Sequence, residues 1–213
     1  MVYNALLGGG LIGMSTLVGK KAFDFTAKAV LKNGSFCDDF NLQRELSGKY
    51  GVLFFYPLDF TFVCPTEIIA FSNRIPAFIE RNAVVVGVSV DSHFSHFAWR
   101  SLPVKDGGIG SIGYTLVSDI TKSISRDYQV LLDDAVALRG TFIIDPNFVI
   151  RVAHVNDLNV GRNVDEVLRT LDALKYSDEN GEVCPAGWSK GKEAIKATHE
   201  SVSDYLASNR DEL

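Results

Sequence analysis

The chain has 213 residues, 46% of them hydrophobic and 22% charged, with 21 Lys+Arg against 26 Asp+Glu for a net charge of −5. That mix is globular, not disordered, collagenous or coiled-coil, and folding buries roughly 70% of the surface exposed by a chain this long, so disulfide staples are not needed. The acidic balance lacks the basic footprint of a nucleic-acid binder, and three cysteines (Cys37, Cys64, Cys184) are too few for a disulfide scaffold, which makes any cysteine chemistry catalytic before it is structural.

Residues 1–16 read as an N-terminal arm. The first nineteen residues carry no charge and are interrupted by Gly8-Gly9-Gly10, so they lack the positive start of a secretory signal and are too Gly-broken for a membrane span. Gly8, Gly10 and Gly13 fit G-x-G-x-x-G, but a dinucleotide site needs a strand before that motif and a helix after it. The chain continues instead with the partly alternating segment Phe23 to Val30 and then Asn33-Gly34, a hairpin signal, which excludes the dinucleotide fold. Val52 to Tyr56 is a continuous apolar run, expected of a strand covered on both faces. Helical periodicity begins after Cys64. Ala83 to Val90 is a second β-branched run, and Asp91-Ser92 supplies capping side chains for a helix through Trp99. Tyr114–Val117, Thr141–Ile144 and Phe148–Val155 read as further strands, the last two joined by a turn at Asp145-Pro146-Asn147. Asn163 and Glu166 have the spacing of a capping box, and Val164, Val167, Leu168, Leu171 and Leu174 mark one helical face. Strands alternating with helices predict an α/β domain over residues 17–176 with a mixed central sheet, followed by a C-terminal tail over 177–213. Arg210-Asp211-Glu212-Leu213 has the form of an endoplasmic-reticulum retrieval address, which acts only on a chain that enters the secretory route. The cytoplasm is therefore the expected compartment, with the endoplasmic reticulum the alternative if the arm is a signal segment.

The informative stretch runs from Tyr56 to Glu67 (YPLDFTFVCPTE): a buried strand passes through a loop into a helix that starts at Cys64-Pro65. Proline is favoured at the first helical position, so the positive helix end and its free amides are expected to face the sulfur. A helix end contributes up to about 2 kcal/mol, whereas lowering a thiol pKa from ~8.5 to ~6 takes roughly 3.4 kcal/mol. A cation is therefore expected beside it, and Arg139, at the start of the strand 139–144, is the best candidate. Thr61 can bond a thiolate or a peroxide oxygen. A free cysteine can also be simply a small buried hydrophobe, but the loop-to-helix position leading into Pro-Thr-Glu favours reactivity. Position 67 is Glu, which excludes a C-x-x-C pair, and position 70 is Ala, which excludes a phosphatase loop. A cysteine protease would need a partner histidine, and nothing marks His154 or His199. His93 and His96 share a helical spacing, but two ligands do not complete a zinc site, and they are expected at the surface or core edge.

Phe60 to Phe71 (FTFVCPTEIIAF), Gly87 to Asp91, Gly107-Gly108-Ile109-Gly110, Val155 to Glu166 (VNDLNVGRNVDE) and Glu182 to Trp188 (EVCPAGW) together resemble the typical 2-Cys peroxiredoxins, in their alkyl hydroperoxide reductase C or thioredoxin-peroxidase branch. The resemblance spans about residue 17 to the C-terminus. It implies a thioredoxin fold with peroxiredoxin insertions and a thiol peroxidase that needs no metal, haem or flavin. It implies Cys64 as peroxidatic cysteine, Pro57, Thr61 and Arg139 around it, Glu67 and Arg162 extending the polar network, and Cys184 as resolving cysteine. The implied partners are a peroxide, thioredoxin or a flavoprotein reductase, and a second copy bridged Cys64 to Cys184 in a homodimer, five dimers forming a decamer. Cys37 matches no role. A ring-shaped holdase chaperone and a thiol redox relay are the competing functions. The peroxide-sensitive members carry a Gly-rich loop and a Tyr-Phe pair near the C-terminus; this chain has the loop but reads Tyr205-Leu206.

Overall fold

The computed structural model describes residues 16–213, so the expected arm and its Gly8, Gly10 and Gly13 lie outside the described residues. The chain opens with a hairpin, β1 (Thr26–Val30) and β2 (Phe36–Asn41), turning at Asn33-Gly34, where Gly34 takes φ 87° and Asn33 Oδ1 accepts from the Ser35 amide. A short α1 (Leu42–Glu45) leads to β3 (Tyr50–Phe55), and after a loop come α2 (Cys64–Asn73), α3 (Ile75–Glu80), β4 (Ala83–Ser89) and α4 (His93–Ser101). The remaining elements are β5 (Thr115–Ser118), α5 (Ser123–Asp127), the small hairpin β6 (Leu131–Leu132) and β7 (Val136–Ala137), β8 (Arg139–Ile144), β9 (Ile150–Asn156), α6 (Val164–Asn180) and α7 (His199–Asn209).

Among the described residues seven strands form one mixed sheet, ordered β2-β1-β5-β4-β3-β8-β9. β3 lies near its middle, parallel to β4 and antiparallel to β8, and all six of its residues are buried. The apolar run has no polar alternation because both faces are covered, and its period of two sends alternate side chains into two cores. Val52, Phe54 and Tyr56 join one core with Cys64, Ile68, Phe71, Trp99, Val167 and Leu171 of the flanking helices. Leu53 and Phe55 join the other with Leu42, Tyr128, Val130, Phe142 and Ile144.

Local chemistry sets several element ends. Ser92 Oγ accepts from the Ser95 amide and starts α4, while Asn163 Oδ1 accepts from the amides of Asp165 and Glu166 and starts α6. The expected capping box at α6 is only half made, because the Glu166 carboxylate turns to Arg169, 2.7 Å away. α6 also runs to Asn180, beyond the tail start expected near Ser177, and ends at Gly181 with φ 69°. Arg81–Asp172 and the more exposed Arg74–Asp165 tie it to the segment after α2. The Gly-rich loop is tied to α4 by Trp99 Nε1 donating to the Gly107 carbonyl, and a Cβ on Gly108 would lie 2.1 Å from the Leu102 carbonyl oxygen.

α2 is held on the sheet by Phe71, whose ring stacks on that of Phe54 with centroids 4.4 Å apart. Phe71→Ala removes a fully buried ring and should cost about 3–5 kcal/mol. Ile79→Ala, at a site 67% exposed, should change stability by less than about 0.5 kcal/mol. Urea unfolding of the two variants measures the contrast.

Candidate active site

Cys64 is the first residue of α2 and is fully buried. Its position is set by the loop 57–63, which leaves the end of β3 and must turn within seven residues. Pro57 is buried at the loop's start, and Phe60 takes a left-handed φ of 55°. The same sheet brings Arg139, first residue of β8, to the sulfur, with its Nη1 3.4 Å from Cys64 Sγ. The guanidinium has only donors, so the sulfur is the acceptor. The antiparallel pairing of β3 and β8 therefore supplies the cation that the sequence calls for beside a reactive cysteine.

Glu67, one turn along α2, lies between two guanidinium groups. Arg139 Nη1 donates to its Oε2 at 2.6 Å, and Arg162 donates to it through Nε, Nη2 and its backbone amide, at 2.8 to 2.9 Å. Both ion pairs are almost completely buried. Burial pushes the Glu67 carboxyl up, but the bonds and charge from Arg162, with the charge of Arg139, outweigh it and hold the group below 4.5. Burial likewise works against the Arg139 charge, yet its contacts with Cys64 and Glu67 raise it above the ordinary guanidinium value. Arg139 Nε is fixed by the Leu158 carbonyl, and Arg162 Nη1 by the Gly140 carbonyl and Thr141 Oγ1. The Arg162 guanidinium lies over the rings of Phe54 and Phe71, 5.1 and 5.8 Å from their centroids. Its chemistry thus faces the site while its planar face completes the core.

Two expectations need correction. The first-turn amides do not face the sulfur: those of Thr66 and Glu67 both bond the Val63 carbonyl, and Pro65 has none to give. The donor that touches Cys64 is Arg139. Thr61 Oγ1 donates to the Leu58 carbonyl at 2.9 Å and holds the loop closed, which leaves its lone pairs as the part that can meet a ligand. His96 is not at the surface or core edge, whereas His93 lies at the core edge as expected. His96 is fully buried with Nδ1 2.8 Å from Asp59 Oδ2, and His93 packs against the rings of Phe36 and Phe94. Sequence reasoning passed over Asp59, because an Asp in a loop ordinarily reads as solvated.

The structure does not bring Cys184 to Cys64 within one chain. Cys184 is half-buried against α6, its Sγ donating to the Ala173 carbonyl at 3.4 Å, and burial first, with Glu182, pushes its thiol up against the opposing pull of Arg169. The tail around it is ordered by Arg169 donating to the Trp188 carbonyl, by Trp188 against Tyr176, and by the bridge Val183–Ile195. Cys37, on β2, lies near Asp39 and away from this cluster. All three cysteines are unbridged.

A buried helix-start cysteine under a guanidinium, on a mixed sheet covered on both faces, defines a thiol enzyme of the thioredoxin-fold class. Residues 18–153 match the AhpC/TSA family model, and residues 173–208 match the C-terminal domain of 1-Cys peroxiredoxin. Alkyl hydroperoxide reductase C of Helicobacter pylori is 55% identical over 91% of this chain and 98% of its own length, and peroxiredoxin-2 of Mus musculus is 52% identical over 89% and 95%. The crystal structure of reduced Plasmodium vivax 2-Cys peroxiredoxin superposes with a TM-score of 0.88 at 51% identity, covering 91% of this chain and all of that one. The chain belongs to the AhpC/TSA family, among its 2-Cys peroxiredoxins.

The depressed Glu67 carboxyl contributes stability that is fully present above its ordinary value of 4.5 and is lost as pH falls through the folded-state value. Glu67→Gln should therefore cost about 3 kcal/mol or more at pH 7, since it breaks a buried ion pair. The gap to the parent protein should narrow below pH 4.5, as read by urea unfolding across a pH series.

Proposed function

We propose that the chain is a thiol-dependent peroxidase that reduces hydrogen peroxide and organic hydroperoxides at Cys64. The observation that carries this is the Arg139 guanidinium 3.4 Å from a fully buried Cys64 sulfur at a helix start. The Cys64 thiolate attacks the terminal peroxide oxygen. An S–O bond forms as the O–O bond breaks, sulfur is oxidised to sulfenic acid, and the leaving alkoxide or hydroxide takes a proton to become alcohol or water. Arg139 stabilises charge on the sulfur and on the peroxide oxygens. Thr61, its own proton held by Leu58, accepts the peroxide O–H and orients it. Pro57 closes one side of the pocket, and Glu67 with Arg162 holds Arg139 in place.

The sulfenic acid condenses with the Cys184 thiol, releasing water and forming a disulfide, and an external dithiol of the thioredoxin type restores both thiols by exchange. The partner cysteine comes from a second copy, because Cys184 of the same chain, beyond the end of α6, is packed back against Ala173 at the middle of that helix. β9 ends the sheet; its outer edge is bonded at Ile150 by Gly19 and Lys20, and further along it Val155 is 48% exposed, a surface suited to a second copy. Homodimers of this kind, assembled five to a ring, are the form we assign to the working enzyme. No specific observation favours a chaperone or relay as the primary role.

Cys64→Ser should abolish peroxide consumption in a stopped-flow assay with thioredoxin and its reductase, and Cys37→Ser should leave it nearly unchanged. Peroxide-treated parent protein should run as a dimer on a non-reducing denaturing gel, and Cys184→Ser as a monomer. Equal losses in Cys64→Ser and Cys37→Ser would overturn the assignment.

Leu206 lies half-exposed on α7, where an aromatic side chain would cover more of the tail. Specific aromatic packing adds about 0.5–1.5 kcal/mol. Leu206→Phe should hold the tail closed longer and raise the fraction of Cys64 found as sulfinic acid by mass spectrometry after a peroxide titration.

A further inference from the structure

A second buried polar cluster lies beneath the Cys64 loop, and the peroxide chemistry does not use it. At its centre is Asp59, midway along the loop. Its Oδ2 is 2.8 Å from His96 Nδ1, its Oδ1 accepts from Tyr56 Oη at 2.9 Å, and its backbone amide donates to Asp91 Oδ2 at 2.8 Å. Asp91 is fixed in turn by Ser89 Oγ at 2.9 Å. His96 Nε2 is 3.2 Å from the Val117 carbonyl oxygen, which only accepts, so Nε2 carries a hydrogen. Nδ1 is thereby turned to the Asp59 carboxyl.

Both carboxylate oxygens and the backbone amide of Asp59 are therefore engaged, and each partner sits on scaffold: Tyr56 just past β3, His96 on α4, Asp91 just past β4. Among the described residues no other side chain of the loop hydrogen-bonds the scaffold. Thr61 bonds only within the loop, and Phe62 is 95% exposed. Directly after Asp59, Phe60 is held at φ 55°, a conformation that non-glycine residues rarely adopt unless their surroundings impose it, with its ring on Trp99.

We propose that Asp59 and His96 are positioning residues for the Cys64 reaction: they hold the loop in the form that keeps the sulfur under Arg139, and their separation is the step that releases oxidised Cys64 to Cys184. This rests on the peroxidatic role proposed for Cys64. The need for release comes from burial. A disulfide requires the two sulfurs about 2.05 Å apart, and the fully buried Cys64 cannot meet an outside cysteine without leaving its pocket. While the sulfenic acid stays in the pocket it has a competing fate, in which a second peroxide transfers an oxygen to give sulfinic acid and one more alcohol or water. The strength of the Asp59–His96 contact thus divides Cys64 between disulfide and sulfinic acid.

The test is a peroxide titration with thioredoxin recycling, reading Cys64 sulfinic acid and the Cys64–Cys184 disulfide by mass spectrometry. His96→Gln and Asp59→Asn should each raise the peroxide dose for half sulfinylation about tenfold, the scale of one net hydrogen bond lost from the closed loop. Ser89→Ala, which loosens Asp91 while leaving the pair intact, should shift it in the same direction by less. Asp172→Asn breaks the Arg81 ion pair away from the loop and should leave the dose within about twofold of the parent, as sites that do not couple leave each other unchanged. An unchanged dose in the folded loop-cluster variants overturns the proposal, and so does a shift in Asp172→Asn as large as in His96→Gln. If the Asp59 and His96 variants do not fold, Ser89→Ala decides alone. A parent protein that consumes no peroxide and forms no Cys64 sulfinic acid instead overturns the peroxidatic assignment, and this proposal with it.

Discussion

The Glu67 carboxylate, buried between Arg139 and Arg162, is the contact on which the rest of the site depends. Two guanidinium groups and one carboxylate leave the buried cluster one positive charge in excess, and the Arg139 part of that excess faces the Cys64 sulfur. Without Glu67, two cations would face each other in a place that water does not reach, and removing one partner of a buried pair costs about 3–5 kcal/mol. Without either arginine, the carboxylate would lose half of its compensation. The cluster is therefore held as a unit, and the Cys64 sulfur is one of its members.

The remaining architecture keeps that unit dry and fixed. β3 and β8 set the distance between the loop and Arg139. Arg162 is pressed against Phe54 and Phe71, so the same rings that hold α2 to the sheet also exclude water from the guanidinium. Within the loop itself, Asp59 is bonded to Tyr56, Asp91 and His96 at once. Cys64 is held by buried charge through Arg139, and its loop by buried polarity through Asp59, while Phe60 and Phe62 of the loop stay exposed.

Much of this was legible in the sequence, for reasons that differ from element to element. The apolar runs at 52–56 and 83–90 read as buried strands because covering both faces removes polar alternation. Ser92 and Asn163 read as helix starts because their side chains bond amides only three residues away or fewer. Cys64-Pro65 read as a helix start through the missing proline amide. α3 and α5 escaped notice because helices of six and five residues are too short to show a period, and α7 because its polar composition resembles a tail.

The sequence by itself determined the main sheet strands and the helices that start near Cys64, Ser92 and Asn163, the position of Cys64 at a loop-to-helix junction, and the family motifs around it, since all of these rest on neighbours within a few residues. Only the tertiary structure decided which groups meet. Arg139 is 75 residues from Cys64, Arg162 is 95 from Glu67 and His96 is 37 from Asp59, and no local pattern encodes such pairings. They arise because the sheet order places β8 beside β3 and because a buried charge must find its partner wherever the folded chain has brought one.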